Sequence, residues 1–129
     1  VMRTTNTILV VSQNLIFLPK IENSAASHGI RVRLTATESK FAEIYKLTVV
    51  PLVLIDLEGS RKTWTSVVEK LTESTSKPKI VAYGPHSDVE LLNLARLSGC
   101  DEVLTKGQFN NSLPRIVKTV ANLPADPQT

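Results

Sequence analysis

Short apolar runs and amphipathic stretches alternate along this chain. Ile8-Leu9-Val10-Val11 is a continuous aliphatic run that stops at polar Ser12-Gln13-Asn14. A run without alternation suits a strand covered on both faces, as in a parallel sheet. Leu18, Ile21, Ala25 and His28 then recur at helical spacing, and Gly29 supplies a stop. Pro19 fits that helix only in its first turn. Val32, Leu34 and Ala36 alternate with Arg33 and Thr35, the pattern of a less buried strand near a sheet edge. Phe41, Ile44 and Tyr45 mark a short helix. Pro51-Leu52-Val53-Leu54-Ile55 is the most apolar run and ends at Asp56, so it is read as the central strand.

The second half repeats the alternation. Trp64, Val67, Val68 and Leu71 form a helical stripe, closed by a polar connection from Glu73 to Pro78. Ile80-Val81-Ala82-Tyr83 reads as a strand broken by Gly84-Pro85. Ser87-Asp88-Val89-Glu90 has the spacing of a capping box and opens a helix with apolar Leu91, Leu94 (or Leu92) and Ala95. Gly99 ends it. Val103-Leu104 make a short strand leading to Lys106, and Leu113, Ile116, Val117 and Val120 line a last helix. Five strands, each followed by a helix, predict an α/β fold: a doubly wound three-layer α/β/α sandwich on a five-stranded parallel sheet. Ligands and chemistry in such sheets gather at the carboxyl ends of the strands. The residues to weigh there are Ser12, Gln13, Asp56, Gly84 and Lys106.

Composition narrows the class. At 129 residues the chain is expected to form one domain, with a core over about 6–123. Its ends, Val1 to Asn6 and Pro124 to Thr129, read as loose. The net charge of +3 is weak for a nucleic-acid binder, and the basic pairs Arg31/Arg33, Arg61/Lys62 and Lys77/Lys79 are dispersed. Neither a membrane span nor a signal peptide is visible, so a cytoplasmic setting is expected. A single cysteine, Cys100, excludes an internal disulfide and a zinc site built on several cysteines. It is read as a small buried hydrophobe, and Trp64 as core. His28 and His86 are too isolated to form a metal site. The sequence contains no glycine-rich phosphate loop, nucleophile elbow or His-Glu metal motif, so an enzyme is not expected.

Three segments in order resemble the receiver domain of bacterial response regulators. They are Ile8-Leu9-Val10-Val11 with the three polar residues after it, Leu52-Val53-Leu54-Ile55-Asp56, and Gly99-Cys100-Asp101-Glu102-Val103-Leu104-Thr105-Lys106. The last is the most specific, because receivers typically carry Gly-Ala-Asp-Asp-Tyr-Leu-x-Lys-Pro there. The resemblance runs from Ile8 to about Asn122 and implies the strand order 2-1-3-4-5. It also implies a function: an aspartate at the end of the third strand accepts a phosphoryl group from a histidine kinase, with magnesium held by that aspartate and an acidic pair after the first strand. A lysine after the fifth strand and a Ser or Thr after the fourth contact the phosphoryl oxygens.

Residue by residue, the resemblance is incomplete. Asp56 stands at the acceptor position and Lys106 at the lysine position, and the two are expected side by side as a residual ion pair. Uncharged Ser12 and Gln13 replace the acidic pair, Gly84 the hydroxyl residue, Val103 the aromatic switch, and Gly107 the proline. Neutral ligands bind hard cations less well, so no cofactor is expected. Glu58 is the one nearby acid that would reach a metal held by Asp56; otherwise it is an exposed loop acid.

The resulting expectation is a pseudo-receiver, a phosphorylation-independent interaction module. The runner-up is a working receiver that accepts phosphate on Asp56 with Mg2+. A flavodoxin-like small-molecule binder is a third reading, weakened by the absence of a phosphate loop after the first strand. No output domain follows the last helix, so the output is expected in a separate protein or in a longer parent chain. The expected surface is the face of the fourth helix, fifth strand and fifth helix, with Leu92, Arg96, Leu97, Val103 and Arg115, docking a protein partner or a second copy. Leu91, Leu92, Leu94, Ala95 and Leu97 are more apolar positions than one helical stripe hides, so some of these leucines are expected to be exposed.

Overall fold

The computed structural model describes residues 4–121. In chain order the elements are β1 (Thr4–Val11), α1 (Leu18–Ala26), β2 (Arg31–Thr35), α2 (Glu38–Tyr45) and β3 (Thr48–Asp56). They continue as α3 (Arg61–Thr72), β4 (Lys79–Gly84), α4 (Val89–Ser98), β5 (Glu102–Thr105) and α5 (Lys106–Ala121). The strands form one parallel sheet in the order β2-β1-β3-β4-β5, as expected. β3 lies at its centre.

Alternation along the strands divides the core in two. Leu9, Val11, Val53, Ile55, Ile80 and Ala82 face one side, where Phe41, Ile44, Trp64, Leu71, Leu91 and Leu92 from α2, α3 and α4 cover them. Ile8, Val10, Leu52, Leu54, Val81 and Tyr83 face the other, under Ile21, Ala25, Phe109 and Ile116 from α1 and α5. Because both faces are covered, β1, β3 and β4 read as continuous apolar runs. β2 is an edge strand: Arg31 and Arg33 are exposed, and charged side chains on an edge discourage further strand pairing.

Helix starts follow local chemistry. Thr37 caps α2 by accepting from Lys40 N, and Ser60 caps α3 by accepting from Thr63 N, both at 3.2 Å. Pro19 sits in the first turn of α1. α4 corrects the capping-box expectation: the cap is Asp88, whose carboxylate accepts from Leu91 N at 3.0 Å. Gly99 ends α4 at φ 110°, where an added Cβ would meet Thr72 Cγ2 at 2.8 Å, so both backbone and space require glycine.

Four other expectations change. Thr4, Thr5 and Asn6 belong to β1, because backbone pairing with Thr48 and Val49 extends the ladder past the apolar run. His28 lies beyond the end of α1 and is exposed, not part of its apolar stripe. α5 begins directly at Lys106, buries Phe109 completely, and continues through Pro114. Leu92 is buried at 6% exposure, because α4 seats Leu91 and Leu92 together against the sheet, so Leu92 is not a surface residue. The tail expected from Pro124 lies outside the described residues. Among the described residues, no helix is long and apolar enough to cross a membrane.

Candidate functional site

β1, β3 and β4 end together at the carboxyl edge of the sheet. The register that pairs Val11 with Ile55 sets Ser12 beside Asp56, and Asp56 itself pairs with Tyr83 on the other side. Asp56 is 6% exposed and Ser12 3%. A carboxylate this enclosed needs its lone pairs satisfied. Ser12 Oγ donates to Asp56 Oδ2 at 2.7 Å, and Glu58 N donates to Oδ1 at 3.0 Å. Asn14 N donates to Ser12 Oγ at 2.9 Å, which orients the hydroxyl. Ser12 Oγ also lies 3.1 Å from Asn14 O, but its single proton favours the shorter, charged acceptor. Both oxygens of Asp56 are therefore engaged by neutral donors from its own chain.

Lys106 does not join them. Among the described residues no ion pair links Asp56 and Lys106; the Lys106 ammonium is paired with Glu58 instead. The reason is positional. Lys106 opens α5, and Glu58 reaches outward from the loop that follows Asp56, where both side chains remain near two-fifths exposed. The expected residual pair thus exists with a different acid.

The loop from Leu57 to Ser60 is tied down at several points. Leu57 N donates to Tyr83 O at 3.0 Å, and Gly59 N donates to Asp56 O at 3.2 Å. Leu57 is 2% exposed and fills the space above Gly84. A Cβ at position 84 would lie 3.3 Å from Leu57 Cβ, 3.4 Å from Leu57 Cδ1 and 3.5 Å from Leu92 Cδ2. A side chain at position 84 would require Leu57 to give by a few tenths of an ångström, and backbone freedom is not what the position uses, since its φ is not positive. Sequence reasoning missed Leu57. Its signal was a large apolar residue between two acids, in a loop otherwise polar.

Tyr83 continues the enclosure on the opposite face. Its ring stacks on Phe109 with centroids 4.1 Å apart, and Phe17 packs edge-on against both. Burial, and secondarily the charge of Asp56, push the Tyr83 phenol well above its ordinary value, so it stays protonated. Trp64 is fully buried and lines a small hollow together with Ser12, Gln13, Asp56 and Ser60. Its Nε1 is buried without a hydrogen-bond partner. Gln13 and His86 are exposed.

The donor set does not fit a magnesium ion. Magnesium takes an octahedron of oxygen atoms anchored by carboxylates. Here Asp56 is the one acid lining the hollow among the described residues, each of its oxygens already accepts a hydrogen bond, and Ser12 and Gln13 add only neutral groups where a metal would need further carboxylates. Glu58 is held by Lys106. Among the described residues, no group of three or more His, Cys, Asp or Glu is placed to hold a metal.

The remaining candidate residues lie on α4, β5 and α5. Leu97 is 86% exposed and Val89 60%. Arg96 donates to Asn93 at 2.7 Å, and Arg115 pairs with Glu102 at 2.8 Å. Val103 is partly buried against the core.

No protein-family model matches the sequence, and no curated protein matches it. Solved structures do. The receiver domain of the TMAO respiratory system response regulator TorR superposes with a TM-score of 0.75 at 22% identity, over 89% of this chain and 95% of that one. The fold is that of response-regulator receiver domains. A CheY-like protein, tadZ, from Pseudomonas aeruginosa superposes over 96% of this chain and 100% of its own, with a TM-score of 0.71 at 21% identity. The beryllofluoride-activated NtrC4 receiver domain dimer matches at 0.68 and 14% identity, over 88% and 98%. At these identities the likeness concerns the fold.

Proposed function

We propose that this chain is a pseudo-receiver: a non-enzymatic signal-transduction module, cytoplasmic, that docks a protein partner or a second copy without phosphorylation. The observation that carries the reading is the state of Asp56. Its two oxygens are held by the Ser12 hydroxyl and the Glu58 amide, and the lysine that would meet a phosphoryl group is engaged by Glu58. Phosphoryl transfer is mostly positioning and charge stabilisation, and among the described residues Asp56 has neither a second carboxylate nor a paired lysine beside it.

The docking surface is the face of α4, β5 and α5. Leu97 and Val89 are exposed on α4, Arg96 stands beside Leu97 in the chain, and the Arg115–Glu102 pair joins α5 to β5. Exposed apolar side chains on a surface helix suit a partner surface. The NtrC4 neighbour is described as a receiver dimer, which supports a second copy as the occupant. The test is solution mass by light scattering across a concentration series, with Leu97→Glu as the variant. A dimer that Leu97→Glu converts to monomer supports the reading. A chain that stays monomeric alone is tested by the same substitution against a co-purifying partner, and no effect of Leu97→Glu in either setting rejects the face.

A further inference from the structure

We infer that the outward face of α4 pairs with the same face of a second copy, antiparallel, about a two-fold axis at Asn93. The inference rests on reading this face as the docking surface, and it names the occupant and the register. α4 turns Leu91, Leu92 and Ala95 into the core and leaves Val89, Glu90, Asn93, Arg96 and Leu97 exposed. Those exposed positions are symmetric about Asn93. Val89 and Leu97 stand four residues to either side of it, Glu90 and Arg96 three to either side. The helical rise sets the apolar pair about 6 Å, and the charged pair about 4.5 Å, from Asn93 along the axis. At about 100° per residue, all of them fall within one arc of about 120°.

An isologous contact is reciprocal: where one residue meets another across the two-fold axis, the second also meets the first. Reversing α4 about Asn93 brings Val89 of one copy beside Leu97 of the other, at both ends of the contact. It also sets each Glu90 level with Arg96 of the other copy, opposite in sign. A parallel pairing would set Glu90 against Glu90 and Arg96 against Arg96, which like-charge repulsion disfavours. Among the described residues, neither Glu90 nor Arg96 has an ion-pair partner in its own chain. Arg96 Nη1 donates to Asn93 Oδ1 at 2.7 Å, which holds the guanidinium on this face and leaves its other donors for a carboxylate. Both charges also suit the dipole of α4 within one copy, so only an intermolecular readout separates the two roles. One helix face covers less than the roughly 800 Å² per partner of a standard interface, so the dimer is expected to be weak.

Sedimentation velocity at low salt, across a concentration series, tests the register with Glu90→Arg and Arg96→Glu. Each variant alone sets like charge against like, twice per dimer by symmetry. Each is expected to self-associate about tenfold more weakly than the native chain. An equimolar mixture of the two variants is expected to associate again, because each then meets opposite charge on the other. Cross-linking checks the axis: in a Cys100→Ala background, Asn93→Cys is expected to form a disulfide-linked dimer on oxidation, and Val89→Cys is not. A mixture that associates no better than either variant alone overturns the pairing. So does a disulfide at Val89→Cys in place of Asn93→Cys, or a native chain that stays monomeric at concentrations on the order of 1 mM. If the mixture fails while Leu97→Glu still disrupts association, the docking face stands and the register falls. If Leu97→Glu changes nothing, both fall.

Discussion

Filling the space at Gly84 should destabilise the fold, and trimming Leu57 should relieve the damage. Gly84→Val places a Cβ 3.3 Å from Leu57 Cβ and adds two methyl groups toward Leu57 Cδ1 and Leu92 Cδ2. Overpacking of a dense core costs about 1–3 kcal/mol. Replacing glycine in a strand returns roughly 0.5–1 kcal/mol of chain entropy. The net expectation for Gly84→Val is a loss of about 1–2 kcal/mol. Leu57→Ala alone opens a cavity beneath a 2%-exposed side chain, at a cost of about 2–4 kcal/mol. In the double variant the valine methyls occupy part of the vacated volume, so the combined loss should fall short of the sum by about 1–2 kcal/mol, within the range found for residues in contact. Urea unfolding of the four proteins, read as a double-mutant cycle, measures this directly. Additivity within about 0.5 kcal/mol refutes the claim that Leu57 and position 84 compete for one space.

Ser12→Ala removes the hydroxyl bonded to Asp56 Oδ2 and should cost about 1.5–3 kcal/mol, the worth of a hydrogen bond to a buried charge; a loss under about 0.5 kcal/mol in urea contradicts the bonded arrangement. Pro114 is exposed inside α5, so Pro114→Ala should restore a helix bond and raise stability by about 2 kcal/mol; no gain in the urea midpoint means the helix is already broken there. Burial, with Asp101 adding to it, pushes the Cys100 thiol up to about 12, so at pH 8 a disulfide reagent should label it at least about tenfold more slowly than a free cysteine, the smaller thiolate fraction being partly offset by that thiolate's greater nucleophilicity. Labelling at the free rate places the thiol outside the core.

What the sequence made legible follows from periodicity. β1, β3 and β4 are apolar without alternation because helices cover both faces, and that pattern survives in a single sequence. The end of β1 did not show it. Thr4 to Asn6 pair through their backbone, a bond that leaves no trace in side-chain polarity. The last helix was legible only from Leu113 on, because Gly107 is a poor helix former and Phe109 stands alone among polar residues ahead of that stripe, although α5 begins at Lys106 and buries Phe109 completely. The site was legible as a set of positions but not as a set of contacts. Asp56, Ser12 and Lys106 fall at the strand ends by spacing, yet whether Lys106 meets Asp56 or Glu58 depends on which carboxylate points out of the loop. Gly84 was read as a missing hydroxyl. The two leucines that crowd the position, Leu57 and Leu92, are 35 residues apart in the chain and approach it only in three dimensions.

The central claim is that Asp56 is retained as an enclosed structural acid and not as a phosphoacceptor. Intact mass spectrometry after incubation with acetyl phosphate and magnesium tests it most directly, with Asp56→Asn treated in parallel. The account predicts an unchanged mass for both proteins. A stoichiometric gain of one phosphoryl group on the native chain, absent from Asp56→Asn, would contradict it.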